Sequence, residues 1–331
     1  MAGNTIGLLR FEEAYFERIW GGEKLRTLYG KRIPRDAPIG EDWLIADHPQ
    51  HESVVAEGAH QGKTLRMLLE ENPAGVLGAR PRMTVHGRFP LLLKILDARE
   101  VLSVQVHPDD ACAAELGEPD AGKTEMWHVL QADPGSELIC GLRPEVAPDA
   151  LLRAVQDGSI ERLMKRLEVT EGMSVFVPAG TVHAIGAGVV LAEIQQNSDL
   201  TYRLYDWRRS DASGKPRPLH IDKAALAIHF GSSHEGAVPP PRLADGASGR
   251  ALLASCPHFA AELVRVCGAW ERTVAGETFH IVLVTAGALS FSMGDEETVV
   301  APGQALLVPG SAPSFAARGK GILLDCYIPE R

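Results

Sequence analysis

The stretch Gly172-Met-Ser-Val-Phe-Val-Pro-Ala-Gly-Thr-Val-His183 decides the fold. A glycine precedes a short run rich in Val and Phe, and a Pro-x-Gly turn then leads to a histidine. β-branched and aromatic residues favour strands, whereas Gly and Pro favour turns. Similar short apolar runs, separated by Gly, Pro and Asp, recur between residues 89 and 308. This pattern predicts a mainly β protein of the sandwich or barrel type.

The strand–turn pattern returns near the C-terminus as a divergent internal repeat. Gly303-Gln-Ala-Leu-Leu-Val-Pro309 echoes the run that begins at Gly172, and Glu277–Gly287 echoes Glu125–Gly135. Between the two copies, residues 236–250 contain three consecutive prolines and no periodicity, which is typical of a linker or surface strap. We therefore expect a first domain over 1–235, a linker over 236–250 and a second domain over 251–331. Helical apolar spacing over Pro148–Leu167 predicts an insertion in the first domain.

Composition narrows the range of partners. The 331 residues include 33 Lys and Arg against 43 Asp and Glu, which gives a formal net charge of −10. Such a chain has no global positive field for nucleic acid or an anionic membrane, so an anionic small substrate would need local cations. The N-terminal segment lacks a basic start with an apolar run, and no stretch of about 20 apolar residues occurs. Five cysteines without a C-x-x-C spacing indicate reduced thiols, and we expect a cytoplasmic protein.

Alternation along Val101-Leu-Ser-Val-Gln-Val-His107 separates two kinds of side chain. In a strand, Ser103, Gln105 and His107 project to one face, and the Leu and Val side chains project to the other. An ordinary half-solvated strand alternates in the same way, so this segment alone leaves both interpretations open.

Two further segments add metal-ligating residue types. Lys123 and Glu125 share a face by the same rule, and His183 follows a strand end and a tight turn. Two imidazoles with a carboxylate and an amide oxygen suit zinc or another divalent first-row metal, with a position left open for water or substrate. No single spacing among these residues is diagnostic.

A fourth predicted strand, Val190–Asn197, places Glu193 on the same face as its apolar neighbour Leu191. Arg203 follows it, and its planar guanidinium suits a sugar phosphate or a developing oxyanion. A surface salt bridge is the alternative for an arginine that stands alone.

Taken together, these motifs resemble a known family. Gly172-x5-Pro178-x-Gly180-x2-His183 is similar to the second motif of the cupin superfamily, although Ala187 stands where that motif often has Asn. The chain as a whole resembles the type I mannose-6-phosphate isomerases of the short, Bacillus-like kind. The motifs that carry this resemblance are Gln105-Val-His-Pro-Asp-Asp110, Gly122-Lys-Thr-Glu125 and Ala192-Glu-Ile-Gln-Gln-Asn-Ser-Asp199. It runs from about Trp20-Gly-Gly22 through Ile39-Gly-Glu-Asp-Trp43 to Tyr205-Asp-Trp207, and more weakly to the C-terminus.

The resemblance implies two cupin, or jelly-roll, β-barrel units with helical insertions and one zinc ion per chain. It implies zinc ligands and substrate-contacting residues at these positions: His107, Glu125 and His183 as ligands, Gln105 as the fourth, Arg203 as catalytic, and Ser103 and Lys123 at the substrate. Ala46-Asp-His-Pro-Gln50 departs from the family pattern, which puts substrate contacts there in doubt. Thr278 and Ser314 stand where the second unit would need metal ligands, so we expect that unit to lack a metal.

The expected function is a zinc-dependent aldose–ketose isomerase that interconverts mannose 6-phosphate and fructose 6-phosphate through an enediolate. Glu193 and Lys123 are the candidate bases, and sequence does not decide between them. Two alternatives remain: a cupin isomerase for a different or unphosphorylated aldose such as mannose, or a non-catalytic sugar-binding cupin. The expected partner is a small sugar phosphate, with no nucleic acid and no membrane, and the expected assembly is a monomer or homodimer.

Overall fold

A computed structural model describes residues 6–34, 37–210, 214–231 and 236–330. Its strands confirm the prediction of a mainly β protein. The strands are β1 (Ala14–Gly22), β2 (Ile39–Ile45), β3 (Asp47–His48), β4 (His51–Glu52), β5 (Leu91–Ala98), β6 (Val104–Val106), β7 (Glu125–Ala132), β8 (Glu137–Leu142), β9 (Met164–Glu168), β10 (Ser174–Val177), β11 (His183–Ile185), β12 (Val189–Gln196), β13 (Tyr202–Tyr205), β14 (Ala237–Val238), β15 (Gly249–Ser255), β16 (Ala260–Thr273), β17 (His280–Met293), β18 (Glu296–Val300), β19 (Ala305–Val308) and β20 (Ser314–Tyr327).

Short helices interrupt the strands. They are α1 (Lys24–Tyr29), α2 (Leu65–Glu71), α3 (Pro73–Leu77), α4 (Asp110–Glu115), α5 (Pro148–Asp157) and α6 (Ile221–Ala227), with a 3-10 turn over Ile160–Leu163. The predicted helix over 148–167 is wrong beyond Asp157. Gly158 takes a φ of +79° and ends α5, because glycine adopts the left-handed conformation that closes a helix at little cost. Residues 164–168 instead form β9, which pairs with β8.

The chain divides into two compact units. The first comprises residues 1–14, 43–94 and 241–331, and the second comprises residues 15–42 and 95–240. Within the predicted linker, Ala237 and Val238 form β14 and pair with β10. Met1, Glu235 and Arg331, which bound the predicted domains, lie outside the described residues. The sequence-based division into 1–235, 236–250 and 251–331 stays a prediction.

The second unit contains one whole sheet and most of the strands of another. One has the strand order β1-β2-β5-β12-β7-β10-β14, and the other has the order β13-β6-β11-β8-β9. Their facing sides share one apolar core, to which the first sheet contributes Trp127 and Leu191 and the second contributes Leu138 and Ile185. Neither sheet closes into a ring within the described residues.

The outer face of the five-stranded sheet is covered by helices. Val104 and Val106 of β6 pack in one cluster with Leu151 of α5 and Ala224 of α6. The alternation predicted for this strand therefore holds over 104–106. Leu102 does not follow it and joins the inter-sheet core instead, because it precedes the first residue of β6.

The first unit contains a sheet in the order β15-β16-β20-β17-β18, with β19 paired to β17. Its core includes Val264, Phe291 and Phe315. At one end of this core, Arg272 forms ion pairs with Glu262 and Asp325. Among the described residues, no helix has both the length and the apolar composition needed to cross a membrane.

Candidate metal centre and active site

The candidate site lies between the two sheets of the second unit. On the five-stranded sheet, the register places both Arg203 of β13 and His183 of β11 opposite Gln105 of β6. On the seven-stranded sheet, Glu125 of β7 lies opposite Gln195 of β12. Residues that lie directly opposite each other in an antiparallel pair project to the same face, so these two rows meet in the interior.

Three of the predicted ligands come together. One ligand atom each from His107, Glu125 and His183 lies within 4.8 Å of the other two. His107 Nε2 is 3.5 Å from Glu125 Oε2, and His183 Nε2 is 3.5 Å from Glu125 Oε1. All three side chains are 1% exposed.

Hydrogen bonds orient both imidazoles toward this cluster. His107 Nδ1 donates to the carbonyl oxygen of Leu200 at 2.6 Å, and His183 Nδ1 donates to that of Thr181 at 2.8 Å. Each ring therefore presents the lone pair of Nε2 inward, which is how metal-binding histidines are usually held. Burial lowers the pKa of His183 to about 4, so this ligand is neutral and able to bind a cation at neutral pH.

The carboxylate of Glu125 fits the same role. Its Oε1 is buried and accepts no hydrogen bond, although a buried polar atom normally has a partner. A divalent ion among the three residues would satisfy that oxygen, and two imidazoles with a carboxylate form a common catalytic zinc donor set.

Gln105 lies beside this cluster. Its Nε2 is 3.3 Å from His183 Nε2, and its Oε1 accepts a hydrogen bond from Ser103 Oγ at 3.3 Å. Rotation of the amide by 180° would exchange its oxygen and nitrogen. Gln105 is therefore placed to present an oxygen to a cation.

Lys123 is also in the cluster. Its Nζ forms an ion pair with Glu125, lies 3.2 Å from His107 Nε2 and lies 3.6 Å from Glu193 Oε1. Burial lowers the pKa of Lys123, but the charges of Glu125 and Glu193 raise it by more, so the net shift is upward. Lys123 is consequently an ammonium at neutral pH.

Glu193 is held by a residue that sequence reasoning missed. The indole N–H of Trp127 donates to Glu193 Oε2 at 3.0 Å, and the Trp127 ring meets that of His183 edge-on at 5.4 Å. Trp127 lies two positions after Glu125 in the same strand. Because alternate side chains of a strand project to the same face, this spacing could have identified Trp127 from the sequence.

Arg203 and Ser103 meet on the opposite side of Gln105. Arg203 Nε donates to Ser103 Oγ at 3.2 Å, and Arg203 Nη1 donates to the carbonyl oxygen of Pro218 at 3.1 Å. A second arginine, Arg217, also donates to Ser103 Oγ at 3.2 Å. Sequence reasoning missed Arg217, which lies in a loop without periodicity. All eight predicted site residues thus fall in one region of the second unit.

The chain is similar to known proteins of one family. A family model described as "Phosphomannose isomerase type I, catalytic domain" matches residues 8–126. A mannose-6-phosphate isomerase from Streptococcus mutans is 36% identical over 303 residues, which cover 92% of each chain.

Solved structures extend the match to nearly the whole chain. The mannose 6-phosphate isomerase from Bacillus subtilis is 33% identical with a TM-score of 0.86, covering 97% of this chain and 99% of the other. A mannose 6-phosphate isomerase bound with zinc and yttrium shares the fold at 17% identity and a TM-score of 0.75, covering 98% and 100%. These findings confirm the resemblance seen in the motifs and the cupin-like fold class. The chain belongs to the type I mannose-6-phosphate isomerases.

Proposed function

We propose that this protein interconverts mannose 6-phosphate and fructose 6-phosphate with one zinc ion bound by His107, Glu125 and His183, and with Gln105 as a fourth ligand. The observation that carries the proposal is the buried Glu125 Oε1, which accepts no hydrogen bond and lies 3.5 Å from His183 Nε2, while His107 Nε2 lies 3.5 Å from the other oxygen of the same carboxylate. The family and the chemistry of this donor set support it.

A zinc ion bound there supplies Lewis-acid polarisation of the sugar oxygens at C1 and C2. The chain itself must move protons: one leaves C2 of the aldose and returns at C1, while a hydroxyl proton moves from O2 to O1. Glu193 is a buried carboxylate that is not a proposed ligand, and its Oε1 lies 3.6 Å from Lys123 Nζ. We assign the carbon-bound proton to Glu193 as general base.

The charge state of Lys123 gives it a different role. Because neighbouring carboxylates raise its pKa, Lys123 is protonated and is poorly suited to remove a proton from carbon. As an ammonium it donates hydrogen bonds to the oxygens of the enediolate, and Arg203 supplies a second positive charge on the other side of Gln105.

A coupled assay of fructose 6-phosphate formation from mannose 6-phosphate tests the proposal. Chelation should abolish turnover, and stoichiometric zinc should restore it. Mannose serves as the second substrate, because equal turnover of mannose would favour an isomerase for unphosphorylated sugars. If the zinc-loaded protein turns over neither sugar, the isomerase proposal fails and a sugar-binding role replaces it.

Three further predictions concern the location, assembly and domain organisation of the protein. A cytoplasmic location, a monomeric or homodimeric state and the division into two cupin domains with a linker follow from the sequence and family. They stay predictions.

A further inference from the structure

The strand that carries Arg203 has an open edge. β13 is the terminal strand of the five-stranded sheet and pairs on one side with β6. On its other side, no strand pairs with it within the described residues. Backbone N–H and C=O groups at such an edge need other partners, because an unpaired polar group costs free energy once it is shielded from water.

One residue supplies both partners for Arg203. The backbone N–H of Arg203 donates to His220 Nδ1 at 3.1 Å, and the backbone N–H of His220 donates to the carbonyl oxygen of Arg203 at 2.8 Å. A residue in an antiparallel ladder exchanges two such hydrogen bonds with the residue opposite it. His220 therefore takes the place of a neighbouring strand at this single position.

The segment that ends at His220 also holds the guanidinium group. Arg203 Nη1 donates to the carbonyl oxygen of Pro218 at 3.1 Å, and Arg203 Nε donates to Ser103 Oγ at 3.2 Å. Residues 218–220 thus contact both the backbone and the side chain of Arg203. Displacement of this segment would change the position of both.

Packing fixes His220 itself. It directly precedes α6, and its carbonyl oxygen accepts a hydrogen bond from the N–H of Ala224 in the first turn of that helix. Ala224 and Ile221 pack in the cluster that contains the apolar face of β6. The imidazole also lies edge-on to the ring of Tyr202, with 6.5 Å between the ring centres. His220 therefore connects the buried face of α6 to the edge of β13.

The hydrogen bond specifies the charge state of the imidazole. An N–H can donate to Nδ1 only if that nitrogen is unprotonated, so the ring is neutral and its proton is on Nε2. Burial and then the positive charges of Arg203 and Lys223 lower the pKa of His220, whereas the charge of Glu118 opposes them. Lys223 Nζ lies 2.6 Å from Glu118 Oε1, and the hydroxyl group of Tyr202 donates to the same oxygen at 2.8 Å. The surroundings therefore favour the neutral form at neutral pH.

We propose that His220 is a positioning residue for the isomerisation. As a neutral imidazole it holds the backbone of Arg203 at the edge of β13, and so keeps the guanidinium group at Ser103, on one side of Gln105. The inference rests on the proposed isomerase function for the role of Arg203 in turnover. The hydrogen bond itself is measurable without turnover.

The test compares three variants of the zinc-loaded protein: His220→Ala, His220→Asn and Ile221→Ala. His220→Ala removes the acceptor, whereas His220→Asn places an amide oxygen near the position of Nδ1 and so keeps an acceptor. Ile221→Ala is the matched control, because it removes apolar packing at the adjacent residue and leaves the imidazole in place.

Four properties are measured in each variant and in the unmodified protein. They are hydrogen exchange at the backbone amide of Arg203, kcat and KM for mannose 6-phosphate, bound zinc, and the melting temperature. In the unmodified protein and Ile221→Ala, the nitrogen chemical shifts of the His220 ring also show which nitrogen carries the proton.

We expect the Arg203 amide to exchange at least about 10-fold faster in His220→Ala, because the acceptor of that N–H is lost. The value of kcat should fall by about 10- to 100-fold, since a small misplacement of a group that acts on the transition state has an effect of this size. His220→Asn should recover most of the protection and most of kcat. Ile221→Ala should lower the melting temperature but keep the amide protected and kcat close to that of the unmodified protein. Bound zinc should be unchanged in all three variants.

Three results each overturn the proposal: an Arg203 amide that exchanges equally fast in His220→Ala and the unmodified protein, a kcat that is the same in His220→Ala and Ile221→Ala, or a His220 ring that carries its proton on Nδ1 at neutral pH. If the unmodified protein turns over no sugar phosphate but the Arg203 amide loses protection in His220→Ala, the proposed function fails and the contact between His220 and the edge of β13 stands. If the unmodified protein isomerises and His220→Ala keeps its kcat, the positioning role alone fails.

Discussion

Replacing Trp127 with Phe tests whether the indole holds Glu193 in its working position. The indole N–H donates to Glu193 Oε2 at 3.0 Å, and Trp127 and Glu193 are only 0% and 4% exposed. Phe keeps an aromatic ring near His183 but removes the donor. A hydrogen bond to a charged group contributes about 1.5–3 kcal/mol, and lost packing adds about 1 kcal/mol, so we expect a destabilisation of roughly 2.5 to 4 kcal/mol.

The kinetic consequence distinguishes positioning from packing. A carboxylate that loses a donor to its charged form has a higher pKa, and 1.5–3 kcal/mol corresponds to about one to two pH units. The acidic limb of the profile of kcat/KM against pH should therefore move to higher pH, and kcat should fall.

Val175→Ala is the matched control for this experiment. Val175 lies opposite Trp127 in the register and belongs to the same core cluster, but the structure gives its side chain no polar group with which to bond Glu193. Val175→Ala should lower the free energy of unfolding by roughly 2 kcal/mol. It should leave the acidic limb of the kcat/KM profile at the same pH. If Trp127→Phe loses stability while its pH profile and kcat match those of Val175→Ala, the indole only packs and the argument is refuted.

Three further predictions concern the metal cluster, a buried histidine and the core of the first unit. His107→Ala or His183→Ala should lower zinc affinity by more than about 100-fold, because each removes a proposed ligand itself, and metal analysis after dialysis checks this; full retention of zinc would exclude these ligands. Burial lowers the pKa of His128 to about 4, so between pH 6.5 and 4 the unfolded chain binds a proton that the folded chain does not, and stability rises with pH across that window. We therefore compare the free energy of unfolding at pH 7 and pH 4 by urea titration of the metal-free protein. Between these two pH values, His128→Gln should lose about 3 kcal/mol less of this free energy than the unmodified protein, and equal losses would show that His128 is not the source of the pH dependence. Asp325→Ala should destabilise the protein by about 3–5 kcal/mol, because Asp325 is fully buried and pairs with His280 and Arg272; an unchanged denaturation midpoint would show that the pairs contribute nothing.

Local sequence rules were sufficient where a strand is regular. Period two placed Gln105 between two apolar neighbours and brought Lys123 to the same side as Glu125, and the structure has both arrangements. The rule failed at Leu102, which precedes the strand, and the helical pattern over 148–167 failed where Gly158 ends α5. Leu102 lies before the first residue of β6 and Gly158 closes α5, so the ends of the elements decided both cases, and periodicity over a window does not show those ends.

Contacts that depend on strand register could not be predicted from local sequence patterns. Arg217 lies 114 positions from Ser103 along the chain. No sequence pattern in the loop that contains Arg217 predicts its contact with Ser103. The pairing of β13 with β6 creates this contact, because it fixes Arg203 opposite Gln105 and brings the loop after β13 toward Ser103. The resemblance to a family identified Arg203 because the motif around it is local, and it offered no such motif for Arg217.

The two polar clusters of the molecule show why residue type alone does not define a metal site. In the first unit, Asp325 accepts from His280 Nδ1 at 2.7 Å and both Asp325 and Glu262 pair with Arg272, so a guanidinium supplies the positive charge. In the second unit, each histidine donates its Nδ1 proton outward to a backbone carbonyl, and an oxygen of Glu125 accepts no hydrogen bond. Both clusters consist of histidine and carboxylate groups within a β core, so composition does not separate them. The direction of each imidazole proton does separate them. His280 directs Nδ1 to a carboxylate and joins an ion-pair network, whereas His107 and His183 donate Nδ1–H to carbonyls and turn both Nε2 lone pairs toward Glu125, where the Lys123 ammonium also lies.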